Sequence, residues 1–298
     1  MDNPAPSKVG GYFKATDEID PVYGPQVLER PRVLDARERR HGISPAALEL
    51  EGQVAKHPKT CAVILAGGVG ERFGSDQGKQ LYEVCGKPLL TWSAEVFDSV
   101  ADVGQIVIVC PPERRQEYCQ QAIDRFPFVT PVSFADAGQV RQQSSYAGVQ
   151  AVPEQFELIA LHDGARPLIS ADLVKVVIDT VKGDIDIDGA VIGYPAIDTL
   201  KLVDRERNII GTPDRSQLWL AQTPQVFRAA VIREAHQLAL SDGFIATDDA
   251  TLVERIGGRL SFVVGPRDNI KLTMPEDLTA IQAGLKRRLG QSSKQRVG

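Results

Sequence analysis

Cysteine is scarce in this 298-residue chain: Cys61, Cys85, Cys110 and Cys119 are the four, and no two form a CxxC pair. That argues against a zinc or disulfide framework and for free thiols in a reducing compartment, two of them inside apolar strands. A basic excess is also missing, with 34 Lys and Arg against 39 Asp and Glu, a formal charge of -5 and a pI near 5.5. Nucleic-acid binders present a basic face, so this balance speaks against that class. No apolar run approaches membrane-spanning length, and no basic segment followed by an apolar core opens the chain. An acidic start (Asp2, Asp17, Glu18, Asp20) disfavours a transit peptide, so a cytoplasmic location is expected. No internal repeat is present. What remains, 43% hydrophobic and 24% charged, is an ordinary globular composition.

One stretch organises the rest: CAVILAGGVGERFGSDQGKQLYEVCGKPLL, Cys61 to Leu90. Residues 61–66 read as a buried parallel strand, and a glycine-rich, charged loop follows without a break. Gly67, Gly68 and Gly70 lack a Cβ, so the backbone can bring several N–H groups against an anion. Arg72 and Lys79 add full positive charge. The stretch is not a Walker loop: three residues separate Gly74 from Gly78, and Gln80 stands where Ser or Thr would hold magnesium. Nor is it a dinucleotide fingerprint, because Phe73 occupies the third glycine position. Gly-Gly-x-Gly-x-Arg, then Lys-Gln and a Gly-Lys-Pro turn at 86–88, resembles the signature of nucleotidyltransferases that couple a nucleoside triphosphate to a phosphorylated sugar or polyol.

From here the chain alternates. Strand-like runs at 61–66, 105–110, 129–134, 156–162 and 188–194 enclose helix-like stretches at 88–98, 112–125, 141–151 and 170–182, the last opened by a Ser170 cap. This predicts an α/β fold, a mostly parallel, doubly wound sheet whose ligands bind beyond the carboxyl ends of its strands. Residues 195–225 break the rhythm and read as an inserted hairpin arm with polar tips, a type of insertion that serves oligomer contacts. Helices near 228–241 and 247–257, a strand at 260–265 and a C-terminal helix from about Pro275 follow. Residues 1–59, proline-rich and then strongly charged, read as a disordered or loosely docked extension. A domain over 60–289, with its arm at about 196–220, precedes a polar, frayed tail at 290–298.

Four further segments carry candidate chemistry. His162-Asp163-Gly164-Ala165-Arg166-Pro167 follows a buried strand, so Asp163 faces the ligand crevice as an acceptor for substrate hydroxyls or a candidate magnesium ligand. Arg166 either orients Asp163 or closes the turn as a structural pair. Lys271, placed in a short strand after an Asp268-Asn269 turn, suits the bridging of two phosphates. Ala137 to Ser144 is a turn entering a helix, offering N–H groups and a hydroxyl for a base or ribose, or a plain helix start. Ala246-Thr247-Asp248-Asp249 is a helix cap at which Thr247 can also meet a substrate phosphate.

Together these segments resemble the 2-C-methyl-D-erythritol 4-phosphate cytidylyltransferases over roughly residues 60–285. The Gly-rich loop, GxxRxxS, HDGARP, PAIDTLK, DRSQLWLAQTPQ, TDDATLVE and DNIKLTMPEDL occur in the family's order. The resemblance implies transfer of a cytidylyl group from CTP with a magnesium ion bound alongside the nucleotide. It implies that Arg72, Lys79 and Lys271 carry catalysis, and that Ala66, Gly67, Gly68, Gly70, Gly138 and Ser144 hold CTP. Asp163 and Thr247 then meet the methylerythritol phosphate, and Thr199 and Arg215 reach that site from the partner in a homodimer with shared active sites. Leu65-Ala66-Gly67-Gly68 departs from the family's common Pro-Ala-Ala-Gly and resembles the pentitol-phosphate cytidylyltransferases. Gln139 replaces a common Asp, and Gly164 a usual Ala. A pentitol 5-phosphate acceptor is the alternative substrate, and a non-catalytic nucleotide-binding scaffold the alternative class.

Overall fold

The computed structural model describes residues 59–68 and 78–295, with side chains through residue 291. The expected N-terminal extension, Lys59 apart, and Gly70 and Arg72 of the glycine-rich loop lie outside the described residues.

A seven-stranded sheet carries the chain. Its strands are β1 (Thr60–Leu65), β4 (Val103–Cys110), β5 (Val132–Asp136), β6 (Leu158–Asp163), β7 (Gly189–Pro195), β10 (Trp219–Arg228) and β11 (Leu260–Val264). Their order is β11-β7-β10-β6-β1-β4-β5. Every neighbouring pair is parallel except those of β10, which runs antiparallel to both β6 and β7. Two small hairpins lie outside the sheet, β2 (Glu83–Val84) with β3 (Lys87–Pro88) and β8 (Leu202–Val203) with β9 (Ile209–Gly211).

β1 and β6 are buried along their whole length, as expected of strands covered on both faces. Alternation divides their residues between two layers. Ala62 and Ile64 point into the core shared with helices α1 (Leu89–Asp98) and α4 (Ala171–Gly183). Val63 points to the opposite face, where α3 (Arg141–Gln150) crosses at Gly148; a Cβ there would come within 2.4 Å of Val63 Cγ1, so glycine permits this close approach. Helix α5 (Ala229–Ser241) packs beside α3 on that face. The Ser170 hydroxyl accepts from Leu173 N and caps α4, as its sequence suggests.

Four expectations change. Residues 112–125 do not form one helix but a 3-10 turn (Pro112–Arg114), a single α-turn α2 (Arg115–Tyr118) and a π-turn (Cys119–Ile123). Lys271 lies in irregular backbone rather than a strand, beyond a turn at Arg267–Asp268. The C-terminal helix α7 (Asp277–Gln295) continues past residue 290, where a frayed tail was expected. The fourth change matters most. The end of the expected arm is β10, a central strand. Pro224 argues against such a strand because it lacks an N–H for the ladder. The structure resolves the conflict with a register break between Ala221 and Gln225, within which Pro224, joined to Thr223 by a cis peptide, needs no ladder bond.

Candidate active site

A cleft of about 520 Å³ opens beyond the carboxyl ends of β1, β4 and β6, where β1 meets β6 and the strand order changes direction. Two of its walls hang from the end of one strand. Ala66 N donates to Val109 O at 2.8 Å and Ala137 N to Cys110 O at 2.9 Å. The two loops therefore approach closely: a Cβ on Gly67 would lie 2.4 Å from Ala137 Cβ. Behind them Tyr118, fully buried, donates its hydroxyl to Ala66 O at 3.1 Å. Burial pushes that phenol up to about 12, so it remains a donor at all ordinary pH. Gly138 N donates to Ser144 Oγ at 3.1 Å, and Gln139 N to Gln143 Oε1 at 2.9 Å, which closes the turn into α3.

The floor is Asp163, the last residue of β6. Its backbone N–H donates to Thr223 Oγ1 at 3.0 Å, and the Thr223 hydroxyl lies 3.1 Å from His162 Nδ1. His162 Nε2 is 3.2 Å from Arg166 O, and a carbonyl only accepts, so Nε2 carries the proton and Nδ1 receives Thr223. Burial pushes the His162 imidazole down to about 4, and both nitrogens are engaged; it is a neutral strut rather than a base. Thr223 sits in the register break of β10, and that irregularity aims its side chain at the site.

Three cations surround the Asp163 carboxylate. Lys271 Nζ lies 3.0 Å and Arg166 Nε 3.2 Å from Oδ2, and Arg141 Nε 3.9 Å from Oδ1. Burial works to raise this carboxyl, but Lys271, Arg141 and Arg166 prevail and hold it far below the usual carboxylate range. The strap carrying Lys271 is pinned on both sides: Arg166 Nη1 donates to Asn269 O at 2.7 Å, and Leu272 N to Ala165 O at 2.9 Å. Leu272 packs with Ile281 and Leu285 of α7. Lys79 Nζ donates to Leu272 O at 3.2 Å, which puts both lysines on one cleft.

Of the residues singled out in the sequence, Gly67, Gly68, Lys79, Gly138, Ser144, Asp163 and Lys271 line this cleft. Ala66 lies buried behind it and contributes its backbone. Thr247 is exposed and does not line the cleft; the cap of α6 (Asp249–Arg255) is Asp248, whose side chain accepts from Thr251 N. Thr199 and Arg215 are exposed on the arm, where Arg215 Nη1 donates to Ile197 O at 2.7 Å, and they do not line this chain's cleft. Arg166 is the positioning partner of Asp163. Sequence reasoning passed over Arg141, although it is the arginine of GxxRxxS, and it passed over Thr223, which lies in DRSQLWLAQTPQ but has no charge or periodicity that marks it as part of the site.

The sequence profile of the IspD family, 2-C-methyl-D-erythritol 4-phosphate cytidylyltransferase, matches residues 60–287. A protein of that name from Caldanaerobacter subterraneus subsp. tengcongensis is 38% identical over 227 residues, covering 76% of this chain and 98% of the relative. Its counterpart from Geobacillus thermodenitrificans is 39% identical over 230 residues, 77% of this chain and 98% of the relative. Among solved structures, 2-C-methyl-D-erythritol 4-phosphate cytidylyltransferase from Thermus thermophilus superposes with a TM-score of 0.59 at 30% identity, covering 74% of this chain and 97% of that one. The 4-diphosphocytidyl-2C-methyl-D-erythritol synthase of Anaerococcus prevotii gives 0.66 at 25% identity, covering 76% and 96%.

Proposed function

The chain belongs to the 2-C-methyl-D-erythritol 4-phosphate cytidylyltransferase family, and from that premise we propose that it transfers the cytidylyl group of CTP to 2-C-methyl-D-erythritol 4-phosphate. The observation that carries the reading is the meeting of Lys79 and Lys271, distant in sequence, on one cleft at the carboxyl ends of the strands. A phosphate oxygen of the acceptor attacks the α-phosphorus of CTP, one P–O bond forms, the bond to the β-phosphate breaks, and pyrophosphate leaves. The products are CDP-methylerythritol and pyrophosphate, a step of non-mevalonate isoprenoid precursor synthesis.

The nucleophile is already an anion near neutral pH, since a phosphate monoester has its second pKa near 6. No general base is required, which agrees with a His162 that is neutral and fully engaged. The barrier lies in gathering anions and in the charge that develops on the α-phosphate and leaving group, so positioning and electrostatics supply catalysis. Lys79 and Lys271 provide part of that charge, and Arg72 of the glycine-rich loop is assigned the same task. Gly67, Gly68, Gly138 and Ser144 form the nucleotide wall, and Asp163 orients Lys271 and accepts from acceptor hydroxyls.

Magnesium enters this reading as part of the nucleotide substrate. Among the described residues no three His, Cys, Asp or Glu side chains come together as a metal cage. The carboxylate at the floor of the cleft, Asp163, is already shared by three cations. Magnesium is commonly held by substrate phosphates and water, and that suits this donor set better than Asp163 as a ligand.

The arm supports a homodimer with shared sites. Leu202, Val203, Ile209 and Ile210 are 43%, 51%, 65% and 63% exposed, an apolar surface that a partner subunit would cover. Thr199 and Arg215 then act in the partner's cleft. Mixing Lys79→Ala and Arg215→Ala enzymes tests this: activity reappears through subunit exchange if sites are shared, and stays absent if each chain works alone. Four unpaired cysteines support a cytoplasmic location, the reading proposed here; no helix among the described residues is long and apolar enough to cross a membrane.

The deciding assay is pyrophosphate release from CTP and Mg²⁺ with methylerythritol 4-phosphate and ribitol 5-phosphate offered in parallel. Turnover with the first alone is expected. Turnover with ribitol 5-phosphate alone would move the chain to the pentitol enzymes, and none with either would overturn the reading in favour of a nucleotide-binding scaffold.

A further inference from the structure

Arg141, the first residue of α3, lines the cleft, and what holds it lies outside the cleft. Its Nη1 is 2.9 Å from Oδ2 of Asp249, a carboxylate with essentially no exposure at the start of α6. The other Asp249 oxygen accepts from Ser145 Oγ on α3 and faces His236 Nε2 on α5 at 3.2 Å. A buried carboxylate is costly without such partners. Burial would raise the Asp249 carboxyl, but Arg141, His236 and Ser145 hold it below the usual range, so the charge facing Arg141 is present at neutral pH.

The surrounding backbone is fastened to the same helix. Gln142 Nε2 donates to Phe244 O at 2.9 Å, and Ala246 N donates to Gln142 Oε1 at 2.7 Å. Gln225 bridges Asp248 and Ala250 N from β10. Three helices and a strand thus fix one guanidinium. Its side chain keeps about a third of its surface exposed (32%), against 14% for Arg166, whose fork is occupied by Asp163 and Asn269 O. Arg141 stands 3.9 Å from Asp163 Oδ1, beyond hydrogen-bonding range, while Lys271 at 3.0 Å occupies the other oxygen. A guanidinium has five N–H donors in a fork that matches phosphate, and among the described residues this one pairs closely only with Asp249, through an ion pair at 2.9 Å in which Oδ2 receives no well-aligned hydrogen bond.

We propose that Arg141 donates its free N–H groups to the phosphate of the acceptor, beside Lys271, and that Asp249 is the positioning residue that aims it there. The inference rests on the cytidylyl-transfer reading. Arg141 and Lys271 flank one carboxylate, so both reach a single anion bound over Asp163. In that reading the nucleotide wall is instead Gly67, Gly68, Gly138 and Ser144, with Lys79 on the same cleft.

The test is steady-state kinetics of the full chain with each substrate varied in turn, for Arg141→Ala, Arg141→Lys, Asp249→Asn and Ser145→Ala, each melted to verify folding. Loss of a charge-assisted hydrogen bond to phosphate raises the acceptor KM by about 10- to 100-fold in Arg141→Ala, while the CTP KM stays within a factor of about 3. Arg141→Lys recovers only part of this, because an ammonium cannot face Asp249 and the ligand together. Asp249→Asn, which touches no ligand, gives the same split, and Ser145→Ala a smaller one that keeps the inference testable should Asp249→Asn fail to fold. Equal rises in both KM values would overturn the assignment, as would full activity in Arg141→Lys. An Asp249→Asn enzyme that loses melting temperature and nothing else would overturn the positioning role. Wild-type enzyme inactive with either acceptor defeats the transfer reading itself; wild-type turnover with unsplit variants defeats only the role of Arg141.

Discussion

Replacing Gly67 by alanine probes the closest approach in the cleft. The added Cβ would lie 2.4 Å from Ala137 Cβ and 3.4 Å from Ser144 Oγ. Carbon atoms rest about 3.5–4.0 Å apart, so the two walls must separate by about 1 to 1.5 Å. Neither wall is loose. Ala66 and Ala137 hang on consecutive carbonyls of β4, Tyr118 holds the Ala66 carbonyl, and Gly138 is bound to Ser144. Overpacking of this kind costs about 1–3 kcal/mol. At roughly 2–4 °C per kcal/mol for a domain of this size, melting should fall by about 2–12 °C. The catalytic effect is larger, since a displacement of about 1 Å in a positioned site can cost about 100-fold. It should fall on kcat/KM for CTP, because both walls belong to the nucleotide side. Ala137→Gly removes the opposing methyl, so the Gly67→Ala, Ala137→Gly double variant should recover melting and CTP kinetics, with a coupling of about 0.5–3 kcal/mol in the cycle. Unchanged melting and CTP kinetics in Gly67→Ala would refute the argument, and so would a double variant no better than the single.

Lys79→Ala should lower turnover by about 100- to 1,000-fold, as for loss of one preorganised charge donor, with little change in melting, since Lys79 is only half-buried; near-normal turnover would remove it from the catalytic set. Asp163→Asn leaves Lys271, Arg166 and Arg141 facing one another and should cost about 3–5 kcal/mol at pH 7. The folded-state pKa of Asp163 is depressed, so its contribution is present above the unfolded value of about 3.9 and lost as pH falls through the folded value. The stability gap between wild type and variant should therefore be flat from about pH 5 to 8 and close only in strong acid; a gap that narrows near pH 6 would contradict it. Burial pushes the thiols of Cys61 up to about 12 and of Cys110 up to about 11. In the native protein a thiol reagent should label Cys85 and Cys119 first and reach the other two only on unfolding; four equal rates would show the strands to be open.

Local pattern alone determined the α/β class, most strand positions and the cleft's place beyond the strand ends. Buried parallel strands are continuous apolar runs, and TCAVIL and LIALHD differ from their surroundings without any tertiary information. Glycines beside lysines marked the anion-binding loop, because backbone approach and charge are properties of residue type. Tertiary structure decided the rest. WLAQTPQVFR carries proline and four polar residues, and only the register break opposite Gly193 and Val191 makes it a central strand. Thr223, His162 and Asp163 join through that break, across a separation no local window spans. Arg141 is one basic residue among 34 in composition; its importance comes from two carboxylates, Asp163 and Asp249, that the fold brings to it from different elements. Sequence determines which groups are able to carry charge or approach closely, and the packing of elements distant along the chain determines which of them share one site.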